Sequence, residues 1–115
     1  MTAPTIDRAT FEGLKETTGA EFALELVDTF LEEAPGMLGE LRETMAAKDA
    51  DRFRRAAHSL KSNSNTFGAL KLAAMARDLE LSSAEKVSEG KSEPIDALEQ
   101  EYARVAAALA ELRRG

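Results

Sequence analysis

Ile95, Leu98, Tyr102, Val105, Leu109 and Leu112 recur at steps of three and four. A strand would bury every second residue, whereas an α-helix gathers this set onto one side. The same rhythm runs through Phe22, Leu26, Val27, Phe30, Ala34, Met37, Leu38, Leu41 and Met45. Pro35-Gly36 falls in its middle, yet the stripe keeps phase across it. The reading is therefore one helix over 20–47, kinked near Pro35, and not two helices and a turn. Asp7 can cap a short helix over 7–17, with Phe11 and Leu14 as its apolar pair. Helices over 50–67, 69–85 (Leu72, Met75, Ala76 and Leu79 inward) and 93–113 follow, with "VSEGKSEP" as a loop. Alanine, leucine and glutamate abound and β-branched residues are few, which favours helix throughout. The expected fold is all-α: an antiparallel up-and-down four-helix bundle with a short additional N-terminal helix, one domain over 1–115.

One stretch resists this reading at first sight. "HSLKSNSNTFGAL", residues 58–70, holds the only histidine, and its Ser, Asn and Thr side chains compete for backbone hydrogen bonds. Phe53, Ala57, Leu60, Ser64 and Phe67 nevertheless repeat at steps of four, three, four and three. That is the seam of a packed helix, which a loop has no reason to keep. His58 then lies roughly 160° to 200° from Leu60 and Phe67 and points outward. Arg54, His58, Lys61, Ser62 and Asn65 share its face, with Arg55 one turn back. If the chain reverses near Gly68–Ala69, facing residues on the two helices have numbers that sum to about 138. His58 meets Leu79 or Glu80, and Leu79 belongs to the core. Glu80 is thus placed to accept a hydrogen bond from the Nδ1–H of His58, leaving Nε2 as an exposed nucleophile.

Charge narrows the chemistry further. The net charge is −6, yet Arg52, Arg54, Arg55, Lys61, Lys71 and Arg77 form a stretch without an acid. With aromatic residues at only 5%, the stacking platforms of a nucleic-acid binder are missing. An acidic protein surface or a single phosphoryl group fits the basic island better. No apolar run approaches the roughly 18 residues of a membrane span. Without cysteine and without the layout of a secretory signal, the expected location is the cytoplasm. Scattered glycines form no phosphate-cradling loop, so the chain should not bind ATP or phosphorylate itself. A carboxylate-type metal bundle wants Glu-x-x-His on two helices, and here Arg55 stands three residues before the one histidine. An exposed helix face also lacks the pocket of an acid–base enzyme. Read from its residues alone, the face is a phosphoryl acceptor or an anion-binding contact.

"AAHSLKSNSNTFGALKLAAMARDLE" strongly resembles the histidine-containing phosphotransfer (HPt) domain of bacterial multistep phosphorelays. "EFALELVDTFLEEAPGMLGELRETMAAKD" and "ALEQEYARVAAALAELR" look like that family's second and last helices, so the resemblance covers nearly the whole chain. It implies that His58 takes a phosphoryl group from a receiver-domain aspartyl phosphate and passes it to another receiver's aspartate. Lys61 matches the lysine that stabilises the phosphorylated ring. Glu80 falls where the family carries Glu or Gln beside the histidine, and Gly68 matches a glycine that admits the partner. Ser62 departs from a more usual Gly, and Asn65 is larger than the typical small residue there. The implied partners are response-regulator receiver domains and a hybrid histidine kinase, met through Arg54, Arg55, Ser62, Asn65, Gly68, Lys71 and Arg77. The implied activity is that of a phosphocarrier without kinase activity and with no cofactor of its own, Mg²⁺ coming from the receiver. A free-standing monomer is the expectation. The alternative on the same fold is a receiver-docking module that is never phosphorylated.

Overall fold

The computed structural model describes residues 4–114, which form α1 (Arg8–Thr18), α2 (Ala20–Ala46), α3 (Ala50–Thr66), α4 (Leu70–Leu81), α5 (Ser83–Glu89) and α6 (Glu93–Arg114). Among the described residues there is no strand. Helices α2, α3, α4 and α6 make the bundle. α3 packs between α2 and α4, and α6 closes the other side against the same two helices. Ion pairs fix the antiparallel register of α2 and α6: Arg42 with Asp96 (2.6 Å) and Glu99 near one end, Asp28 with Arg113 (2.6 Å) near the other. α1 lies against α2 and touches α3. Asp7 caps it by accepting from the backbone N–H of Thr10.

Each stripe finds its place in one continuous core. Val27, Phe30, Leu41, Phe53, Leu60, Leu72, Ile95, Leu98, Val105 and Leu109 are almost wholly buried. At roughly 25 cal/mol per Å² of apolar surface removed from water, this core is the main force holding the helices together. α2 continues through Pro35. Proline has no N–H to give to the carbonyl of Leu31, one turn back, and the Tyr102 hydroxyl of α6 comes within 3.5 Å of that oxygen. Burial pushes the Tyr102 phenol up, which keeps it a donor. No helix among the described residues is long and apolar enough to cross a membrane.

Two expectations need correction. Phe22 does not join the α2 stripe and is half exposed. It points roughly 120° from the mean direction of the buried residues of α2, and the neighbouring Ala23 is the residue that goes inward. The helix expected over 69–85 stops at Leu81. Ser82 leaves helical geometry (φ −115°, ψ 27°) while its hydroxyl donates to the Asp78 carbonyl at 2.6 Å. The chain then winds a separate turn, α5, which buries Val87 before Gly90 ends it with φ +65°. The first three of the eight residues read as a loop are thus helical, because Val87 has a core to reach.

Candidate functional site

The polar run of α3 is helical because its side chains satisfy the helix they would otherwise disturb. Asn63 donates to the Ser59 carbonyl (2.8 Å), Ser64 to Leu60 (2.7 Å) and Thr66 to Ser62 (3.0 Å), each one turn back. Ser64 is buried in the seam. The helix closes with the N–H of Gly68 on the Asn65 carbonyl (3.1 Å) and that of Ala69 on Ser64 (2.9 Å). This is the double bond of a Schellman cap, with Gly68 at the left-handed position, φ +80°.

Across the α3–α4 hairpin, Nδ1 of His58 lies 2.7 Å from Oε2 of Glu80. The imidazole is 55% exposed and the Glu80 side chain 15%. Nζ of Lys61 lies 2.9 Å from Oε1 of the same carboxylate. Its approach is oblique, so this is an ion pair without an aligned hydrogen bond. The Lys61 ammonium, more than the His58 contact, holds the Glu80 carboxyl below the usual carboxylate range, against the opposing effect of burial. An ionised carboxylate can only accept. Nδ1 therefore carries the ring proton, and in the neutral ring the lone pair on Nε2 faces solvent.

Ser62 and Asn65 are exposed along the same face. Arg54 and Arg55 are exposed too, but both are tied to Asp51, three and four residues earlier. Asp51 lies just outside the acid-free stretch, and its spacing from the two arginines is the sequence signal for these pairs. Arg55 also borders a groove between α2 and α3 whose floor is Met37, Ala56 and the bare backbone of Gly36. Arg77 is exposed one turn before Glu80 and has no acidic partner among the described residues.

Two proposed partner contacts lie elsewhere. Lys71 is about 180° around α4 from Glu80 and turns to α6, 3.9 Å from the buried Glu101. Gly68 is buried, and so is Ala69. A Cβ on Gly68 would stand 2.7 Å from the Asp7 carbonyl oxygen and 3.0 Å from Cβ of Thr10. The bare glycine admits the chain's own α1, not an incoming protein, and its carbonyl accepts from the N–H of Asp7 at 2.8 Å.

Residues 25–114 match the family model of the Hpt domain. The chain belongs to the Hpt domain family. Its fold is similar to the crystal structure of histidine-containing phosphotransfer protein B (HptB) from Pseudomonas aeruginosa PAO1, with a TM-score of 0.82 and 30% sequence identity. That match covers 98% of this chain and 97% of the other. Sequence comparison with curated proteins gives no match. Membership of the Hpt family assigns the chain a histidine phosphotransfer role in a phosphorelay. Hpt proteins work with receiver and kinase components of two-component systems, as phosphocarriers.

Proposed function

We propose that His58 is the phosphoryl-carrying residue, taking the group from an aspartyl phosphate on one receiver domain and delivering it to an aspartate on another. The observation that carries this reading is the 2.7 Å contact of Nδ1 with Glu80, which puts the Nδ1 proton on the carboxylate side and, in the neutral ring, leaves the Nε2 lone pair free for attack. The Nε2 lone pair attacks phosphorus, an N–P bond forms, and the P–O bond to the donor aspartate breaks with release of its carboxylate. The ring becomes a phosphorylated imidazolium whose Nδ1–H still faces the Glu80 carboxylate. That charge keeps the N–P bond ready to break again, and delivery is the same step reversed. Lys61, one turn along, turns its ammonium from Glu80 toward the phosphoryl oxygens.

The carboxylate within reach of the imidazole is Glu80, and its two oxygens are taken by His58 and Lys61. No group of three His, Asp or Glu able to hold a metal ion occurs among the described residues. This donor set does not fit Mg²⁺. In this reading the ion belongs to the receiver, and this chain contributes position and charge, without kinase activity of its own.

The test is transfer of label from a receiver domain phosphorylated on aspartate, with Mg²⁺, to wild type and to His58→Gln. Acid-labile, base-stable label is expected on wild type alone. Absence of label from a panel of receivers of the same organism, with the helical fold intact by circular dichroism, would overturn the reading in favour of an unphosphorylated docking module.

A further inference from the structure

Three large hydrophobic side chains are left exposed among the described residues: Phe22 (51%), Leu70 (50%) and Leu81 (70%). Two of them stand on one line. Leu70, Ala74, Arg77 and Leu81, all exposed, follow spacing i, i+4, i+7 and i+11, the seam a helix presents to another helix over about 16 Å. Among the described residues nothing buries it, since the buried residues of α4 are Leu72, Ala73, Ala76 and Leu79.

We infer that this outer strip of α4 is where the receiver domain is gripped while its aspartate faces His58, through an apolar helix face that carries a carboxylate. The inference rests on the relay reading above and names the surface that serves it. Continuity supports it: Leu81 adjoins Glu80, and Arg77 lies one turn before Glu80, which holds His58. Charge supports it as well. Within the basic stretch, Arg52 pairs with Glu40, Arg54 and Arg55 with Asp51, Lys61 with Glu80, and Lys71 lies by Glu101. Arg77 alone of that group forms no ion pair among the described residues, and it stands inside the apolar line. Size disfavours a stable dimer, whose interface uses roughly 20–30 residues a side against the four of this strip. Two leucines and an arginine suit a partner that must dock and leave, and a second copy would also bring another net charge of −6.

The experiment uses the receiver that labels wild type fastest in the transfer assay, at receiver concentrations below saturation. Leu70→Ser/Leu81→Ser and Arg77→Glu are each expected to slow labelling about tenfold, as lost anchors and a reversed rim charge do. Arg77→Glu also flattens the salt dependence of the rate. Phe22→Ser, the matched exposed hydrophobe on α2, transfers at the wild-type rate. Melting curves establish that all variants are folded. Wild-type rates in both α4 variants would overturn the strip while leaving the relay reading standing. A wild-type dimer in sedimentation, split by Leu70→Ser/Leu81→Ser, would overturn it in favour of a second copy. Failure of every receiver to label wild type would instead remove the relay reading, and the strip with it.

Discussion

At Lys48 and at Gly68 the chain makes the same turn. Each residue has positive φ, 58° and 80°, and each follows a helix whose last carbonyls it closes. Lys48 N–H donates to Met45 and Asp49 N–H to Thr44 (3.1 and 2.9 Å), matching the bonds of Gly68 and Ala69 to Asn65 and Ser64. One position holds lysine and the other glycine. At Lys48 the side chain runs to the Val87 carbonyl, which accepts from Nζ at 3.0 Å. At Gly68 the space a side chain would take is filled by the backbone of Asp7. Backbone geometry alone therefore does not dictate glycine in this turn. Close packing does, and only at the end of α3 where α1 is docked.

The sharpest way to break the comparison is to give both turns the same side chain. Gly68→Ala adds the cost of a left-handed non-glycine residue to an overlap that backbone cannot yield to, together about 2–4 kcal/mol. The midpoint of thermal unfolding should fall on the order of 10 °C. Hydrogen exchange should show α1 loosening first, because Asp7 must move. At temperatures where the variant remains folded, its transfer rate should match wild type, since Gly68 faces α1 and not the partner. A variant with unchanged melting but slowed transfer would restore the partner-facing role.

Why Gly68 deceived a reading of the sequence, and Glu80 did not, is a matter of distance along the chain. α3 and α4 form a tight antiparallel hairpin, so residue numbers convert directly into contacts, and His58 meets Glu80. The helices themselves are legible for the same reason, their spacing being local. Asp7 reaches Gly68 from the other end of the sequence, through the docking of α1, which no local pattern encodes. Lys71 turns to Glu101 only once α6 is in place. At Phe22 the obstacle is different: size suggests burial, but helix phase selects the small Ala23 beside it. Val87 likewise drew a turn of helix from a segment whose composition reads as loop.

A smaller effect is expected at the other turn. Lys48→Ala keeps the left-handed strain and loses the bond to Val87, at a cost of about 1 kcal/mol. Lys48→Gly loses the same bond but relieves the strain, which leaves stability within about 0.5 kcal/mol of wild type. Chemical denaturation resolves the difference between the two. Equal losses in both variants would mean that the strain at Lys48 is negligible, and that the two turns differ less than their glycine content implies.

The smallest effect separates the two ends of α3 by charge. Near Lys48 the first turn of the helix carries Asp51, whose carboxyl is held below the usual carboxylate range by the guanidinium of Arg54 and then of Arg55. Near Gly68 the bonds that close the helix and join it to α1 run between backbone groups, which do not titrate. A carboxylate with a depressed folded pKa contributes stability above its unfolded value and loses it as pH falls through the folded one. Acidification below about pH 4 should thus weaken amide protection in the first turn of α3 while the amides of Gly68 and Ala69 hold. Asp51→Asn should reduce the acid-dependent part of that loss. The pairs are exposed to solvent, so added salt should shrink the effect too. Equal loss of protection at both ends would show instead that α3 opens as one unit, with the packing around Gly68 no firmer than the ion pairs at its start.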